Sequence, residues 1–201
     1  MSSSVDRVVI ASRNPGKLRE LGDLLKPLGI ETVAQSLLGV GEADEPHATF
    51  VENALAKARH ACRSTGLASL ADDSGLCVAA LGGQPGVDSA YFAGREGARE
   101  ERDARNNAKL LERLRDAADR SAFYYCVLVL MRSAQDPSPV IADARWHGAI
   151  VEAPRGTGGF GYDSCFVPDG STLTAAELST EEKNRASHRA QALAALRAKL
   201  A

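Results

Sequence analysis

"VDRVVIASRNPGKLRELGDLLKPLG", Val5 to Gly29, sets the fold class. Its first eight residues, Val5 to Ser12, are β-branched and compact, the composition of a strand buried on both faces. Ser12-Arg13-Asn14-Pro15-Gly16-Lys17 supplies turn residues, and Leu18, Leu21, Leu25 and Leu28 then recur at helical spacing until Pro27 and Gly29 close the segment. A strand, a glycine-bearing turn and a helix, in that order, predict an α/β fold.

The rest of the chain keeps that pattern. "PHATFVENALAKARHACRSTG", Pro46 to Gly66, opens with Thr49-x-x-Glu52, a capping-box spacing, and places Val51, Leu55, Ala58 and Cys62 on one helical stripe ended by Gly66. "LASLA" predicts a short buried strand that delivers Asp72 and Asp73 at its end. A charged helix with an apolar face of Leu110, Leu111 and Leu114 is expected between Arg99 and Ala118. Ala122 to Met131 is apolar enough for a central strand, and Val140 to Val151 alternates as a second one. A glycine-rich loop from Ala153 then leads into another short strand, and Ser179 to Leu200 supplies the last helix. No repeat, linker or low-complexity segment divides the chain, so one domain is expected over residues 1–201.

Composition narrows the function. With 201 residues and a formal net charge of −2, the chain has no basic excess of the kind that binds nucleic acid polymers by counterion release. A small anionic ligand needs only a few local donors. The four cysteines, Cys62, Cys77, Cys126 and Cys165, never form a C-x-x-C pair and are expected to be buried free thiols. The amino terminus lacks a basic run leading into an apolar one, and no apolar stretch reaches the roughly 18 residues that span a membrane. A cytoplasmic protein without membrane contact is the expectation.

Four constellations carry chemistry. Ser12 to Lys17 lies at a strand-to-helix junction, where the first helical N–H groups and the positive end of the dipole can bind phosphate. This stretch matches neither the G-x-x-x-x-G-K-[ST] loop nor G-x-G-x-x-G, so an ordinary turn is the alternative. Asp72-Asp73-Ser74-Gly75 places two carboxylates side by side, an arrangement that is unfavourable unless a cation, a proton or a donor lies close by. Mg²⁺ would satisfy it with substrate phosphates and water, and an Asx turn closing the strand is the other reading. Glu42, Asp44 and Glu45 precede the next helix and could complete such a site; Glu52 is already explained by its cap.

"GTGGFGYD", Gly156 to Asp163, could press its backbone against a planar ligand while Phe160 stacks on a base; alternatively Phe160 belongs to the core. Lys183, His188 and Arg189 cannot share one face of a straight helix, since five and six residues correspond to about 140° and 120° of rotation on opposite sides. Either they are surface charges or Ser187 breaks the helix and caps a new one, with His188 and Arg189 in its first turn and Leu193, Leu196 and Leu200 packing inward. Cations at a helix N-terminus oppose the dipole and call for an anionic or carbonyl-bearing partner.

Taken together, "SRNPGKLREL", "TFVENALAKAR", "ADDSGL", "LGGQPGVDSA", "GTGGFGYD", "TAAEL" and "EKNRASHRAQAL" resemble, in order from about Val8 to Leu196, the inosine triphosphate pyrophosphatase family. That resemblance implies an α/β fold with a long twisted mixed sheet flanked by helices, in two lobes around a central cleft, and a homodimer. It implies hydrolysis of ITP, dITP and XTP to the monophosphate and pyrophosphate with Mg²⁺. Ser12, Arg13, Asn14, Pro15, Gly16 and Lys17 would hold the triphosphate, with Asn14 and Lys17 the main side-chain contacts. Asp73 would accept the proton of the attacking water and, with Glu45, bind the metal; Asp72 is its neighbour and Ser74 a substrate contact. Phe160, Gly161, Tyr162 and Asp163 would sandwich and hydrogen-bond the base, whose edge Lys183, His188 and Arg189 would read. The chain departs from the family pattern at Ser12, where threonine is common, at His47, where glycine is frequent, and in "YDSCF". Pyrimidine-directed or modified-nucleotide pyrophosphatases and a non-enzymatic nucleotide sensor are the rival readings.

Overall fold

A computed structural model describes residues 6–200. Val5 of the first predicted strand, like both ends of the 1–201 domain expectation, lies outside the described residues. The elements run β1 (Arg7–Ile10), α1 (Pro15–Leu25), β2 (Glu31–Ala34), α2 (Phe50–Thr65), β3 (Ser69–Val78), α3 (Arg99–Arg113), β4 (Ser121–Met131), β5 (Val140–Ile150), β6 (Phe166–Pro168), α4 (Thr180–Ala186) and α5 (His188–Ala198). Six strands form one mixed sheet in the order β2-β1-β3-β4-β5-β6, with β1 parallel to both β2 and β3 and with β5 antiparallel to β6. The fold is the α/β class read from Val5–Gly29. β2, a four-residue strand just after the first helix, was not read from the sequence, being too short and too mixed for a periodic signal.

Packing groups the chain into two compact units. Of the described residues, the first holds those up to Asp73, Cys126–Ala144 and those from Arg189 to Leu200; the second holds Ser74–Tyr125 and Arg145–His188. In the first, Val8 and Ile10 of β1 bury against Leu21 and Leu25 of α1, Leu70, Leu128 and Leu130 of the neighbouring strands, and Leu193 and Leu196 of α5. Val9, between them in sequence, is equally buried, as expected where successive side chains alternate and both faces are covered. α2 is tied to β3 through Ser69, whose hydroxyl donates to the Ala58 carbonyl at 2.6 Å and meets Cys62 Sγ at 3.1 Å, and to β4 through the Cys62 thiol, which donates to the Met131 carbonyl at 3.6 Å. In the second unit, Leu76, Val78, Leu110, Leu114, Tyr124, Trp146 and Phe166 make a separate core.

Local signals landed closely. Thr49 caps α2 and exchanges hydrogen bonds with Glu52, and Gly66 ends that helix at φ +70°. Ser187 is extended, at φ −64° and ψ 156°, and separates α4 from α5 as its hydroxyl and position suggested. All four cysteines are free and buried. Three expectations change. The buried stripe of α2 is Ala54, Ala58, Ala61 and Cys62 with Asn53, while Val51, in the first turn, is exposed. Leu200 lies past the end of α5 and is exposed. β3 does not stop at Ala71 but runs through both aspartates to Val78, because each carboxylate finds its own cation.

Candidate active site

Asn14 organises the turn after β1. Its Oδ1 accepts from the N–H groups of Gly16 at 2.9 Å and Lys17 at 3.2 Å, its own N–H donates to Ser12 Oγ at 3.2 Å, and Pro15 opens α1 without an N–H to satisfy. The Gly16 and Lys17 amides at the junction are therefore engaged by Asn14. What the turn presents is Arg13, exposed to solvent, and Lys17, whose ammonium pairs with Asp72.

Asp72 and Asp73 are consecutive in a strand, so their side chains leave β3 on opposite faces. On one face the Asp72 carboxylate, fully buried, meets Lys17 and the Arg189 guanidinium, with Arg189 Nε at 2.7 Å from Oδ2, and accepts from the Cys126 thiol at 3.1 Å. Arg189, 1 % exposed, also pairs with Glu20 of α1. Burial alone would raise the Asp72 pKa, but Arg189 and Lys17 hold it well below the usual carboxylate range. The anionic partner that Arg189 needs at the first turn of α5 is thus a pair of protein carboxylates, Asp72 and Glu20.

On the other face Asp73 accepts from Lys57 Nζ at 2.8 Å, and the same ammonium lies 2.9 Å from Glu45 Oε2. Burial pushes the Asp73 pKa up to about 6, with Glu45 adding to the rise and Lys57 and Lys17 opposing it. Burial also acts to raise Glu45, but Lys57 outweighs it and holds Glu45 below its ordinary value. The loop carrying Glu45 is pinned two residues on: the Asn53 side chain accepts from the His47 N–H and donates to the His47 carbonyl, both at 3.1 Å. Glu42 and Asp44 are exposed. Two hard-oxygen donors converging on one ammonium suit Mg²⁺, which takes one or two carboxylates and completes its shell with phosphate and water. Among the described residues no group of three or more potential ligands forms a closed metal cage.

The second unit builds a different constellation around Asp163. Its Oδ2 accepts from the Phe160 N–H and from Lys183 Nζ, both at 2.7 Å, and its Oδ1 accepts from the Tyr124 hydroxyl at 3.2 Å. His188 stacks on Tyr124, with centroids 4.7 Å apart and planes 7° from parallel. Phe160 is only partly buried, and the cations of Arg99 and Lys183 lie 4.8 and 4.7 Å from its ring centre. Tyr162 is core, its hydroxyl donating to the Ser89 carbonyl at 2.8 Å, and Ser74 lies half-buried on β3. The loop glycines answer to protein neighbours: a Cβ at Gly156 or Gly158 would strike the Ala176 backbone, and one at Gly159 would strike the Asp163 carboxylate.

The structure thus joins Lys17, Asp72 and Arg189 in one cluster, Glu45 and Asp73 in a second, and Phe160, Asp163 and Lys183 in a third, with His188 against Tyr124. Lys57, Glu20 and Tyr124 were not singled out from sequence. Lys57 had a usable signal: it lies four residues after Asn53 and four before Ala61, so a lysine falls on the buried face of α2. Glu20 and Tyr124 had none, since a helical glutamate and an aromatic in a strand are ordinary.

Known proteins share the sequence and fold of this chain. The sequence model of the Ham1 family matches residues 8–199. A dITP/XTP pyrophosphatase of Burkholderia pseudomallei is 63% identical over 194 residues, covering 96% of this chain and 93% of the relative. One of Nitrosomonas europaea is 60% identical over 192 residues, covering 96% and 93%. The solved structure of a HAM1 protein from Coxiella burnetii superposes with a TM-score of 0.87 at 46% identity, covering 96% of this chain and 98% of that one.

Proposed function

The chain belongs to the Ham1 family, and from that premise we infer that it is a nucleoside triphosphate pyrophosphatase that clears non-standard purine nucleotides, ITP, dITP and XTP, from the nucleotide pool. The observation that carries the chemistry is the pair of opposed assemblies on β3, Lys17–Asp72–Arg189 on one face and Glu45–Lys57–Asp73 on the other.

In this reading Ser12 to Lys17 holds the triphosphate, with the Lys17 ammonium and the positive end of α1 neutralising phosphate oxygens. Asp72 keeps Lys17 and Arg189 in place. Asp73 orients water for in-line attack at the α-phosphorus and takes its proton; the bond to the bridging α–β oxygen breaks and pyrophosphate leaves. A base with a pKa near 6 is ionised at neutral pH yet still basic enough to accept that proton, and such help is worth about 10²–10⁴-fold. Glu45 and Asp73 would hold Mg²⁺, which when bound supplies further neutralisation of the polyphosphate. Lys57 keeps the two carboxylates together.

Base recognition falls to the second constellation. Phe160 offers a ring face for stacking, and Ser74, Lys183 and His188 with the Phe160–Asp163 segment supply polar contacts, while Arg189, held by Asp72 and Glu20, stays with the first cluster. Hypoxanthine and xanthine present a 6-oxo acceptor to these donors, where adenine presents an amino donor and would leave buried groups unpaired. A homodimer and a cytoplasmic location are proposals carried by the family resemblance, checked by sedimentation and by fractionation. Among the described residues no helix is long and apolar enough to cross a membrane.

Incubation with Mg²⁺ and a nucleotide panel, scored for pyrophosphate against orthophosphate, tests the reading. Pyrophosphate release from ITP, dITP and XTP well above GTP and ATP is expected; release of orthophosphate, or faster turnover of pyrimidine nucleotides, would overturn it.

A further inference from the structure

Asp103 and Asn107 stand one turn apart on α3, and both address a single residue of the glycine-rich loop. Asp103 Oδ2 accepts from the Gly161 N–H at 2.9 Å, and Asn107 Nδ2 donates to the Gly161 carbonyl at 2.9 Å. Arg99, one turn earlier, lies 3.8 Å from the Asp103 carboxylate and carries its guanidinium 4.8 Å from the centre of the Phe160 ring. Three side chains at i, i+4 and i+8 thus form a stripe that meets the loop along one side of the helix. Gly161 sits at φ +62°, and nothing lies within 4 Å of where its Cβ would be, so backbone conformation is what requires glycine there.

With both backbone groups of Gly161 held, neither flanking peptide plane can rotate without breaking a bond to α3. Those planes join Gly161 to Phe160 on one side and to Tyr162 on the other. The Phe160 N–H is itself fixed on Asp163 at 2.7 Å, and the Tyr162 ring is anchored in the core. α3 therefore closes the remaining freedom of the segment that presents the Phe160 ring.

We propose that Asp103 and Asn107 are positioning residues for base recognition, clamping Gly161 so that Phe160 is preorganised as a stacking surface. The inference rests on the reading of Phe160 as the surface that meets the purine. Neither residue touches substrate in this scheme; each acts through Gly161. Stacking on a base remote from the α-phosphorus contributes equally to ground and transition states, so its loss raises KM and leaves kcat alone.

Steady-state kinetics of Asp103→Ala and Asn107→Ala test this, with thermal melting recorded for each. Each substitution is expected to raise KM for ITP about tenfold with kcat changed less than about twofold, the effect of losing a good part of one base–aromatic stack. Inhibition by inorganic pyrophosphate, which has no base, should stay at the parent level. Asp103→Asn keeps an acceptor for the Gly161 N–H and should restore most of the affinity. Should Asp103→Ala not fold, Asn107→Asp takes its place: it sets a carboxylate against the Gly161 carbonyl and should raise KM likewise. An unchanged KM in both alanine variants, a fall in kcat at constant KM, pyrophosphate inhibition weakened as much as ITP binding, or no recovery in Asp103→Asn would each overturn the proposal. A parent protein inactive on ITP would instead overturn the proposed function, so the two failures are distinct.

Discussion

The Lys57 ammonium lies 2.8 Å from the Asp73 carboxylate, on the face of β3 opposite the Arg189 guanidinium that holds Asp72. Adjacent aspartates in a buried strand are tolerated because alternation sends them to different cations, and their repulsion needs no metal to relieve it. The two carboxylates are left in different states. Asp72, between Arg189 and Lys17, is locked in its ionised form; Asp73, with burial working against Lys57, is poised near 6.

Asp73→Asn should separate chemistry from folding. Asparagine keeps the shape and an acceptor for Lys57 but cannot take a proton, so kcat for ITP should drop by at least about 10²-fold while the melting temperature stays near that of the parent. Kinetics and circular dichroism on the same preparation check this; parental turnover in the variant would refute the role of Asp73.

Arg189→Met should weaken the fold. It removes the main partner of the buried Asp72 carboxylate and frees Glu20, and breaking one side of a buried pair costs about 3–5 kcal/mol. Urea denaturation should show that loss, and the double variant Arg189→Met/Asp72→Asn should recover part of it. Equal stability of parent and single variant would show that Lys17 alone satisfies Asp72.

Alkaline stability should depend on Tyr124. Burial pushes its phenol well above the usual value and the Asp163 carboxylate adds to the rise; Tyr162 is pushed up in the same direction by burial. A raised folded-state pKa gives stability that is complete below the unfolded pKa of about 10 and is lost as pH climbs from there toward the folded value. Denaturation midpoints should therefore fall steadily above about pH 10, and Tyr124→Phe should flatten that decline. The same slope in parent and variant would exclude Tyr124 as its source.

Chelation should stop turnover without unfolding the protein. Glu45 and Asp73 already share the Lys57 ammonium, so the fold does not depend on a divalent ion to hold them. EDTA is expected to abolish pyrophosphate release, added Mg²⁺ to restore it, and the melting temperature in the absence of nucleotide to move by less than about 2 °C, no more than about 0.5–1 kcal/mol for a chain of this size. Undiminished turnover in EDTA would remove magnesium from the scheme.

What the sequence determined by itself is everything set by neighbours a few residues apart. The Val5–Gly29 stretch announces strand, turn and helix through local periodicity, Thr49 and Glu52 cap α2, and Ser187 breaks the carboxy-terminal helix, because rotamers, caps and φ/ψ preferences act within one or two turns. What only the tertiary structure decided is which charges meet. Asp72 and Arg189 lie 117 positions apart, Asp163 and Tyr124 39, and Gly161 and Asp103 58, separations over which no periodicity carries a signal. The course of β3 through both aspartates was settled the same way: a carboxylate ends a strand or continues inside it according to whether a cation arrives from another element to offset its desolvation, and Lys17, Lys57 and Arg189 arrive from three.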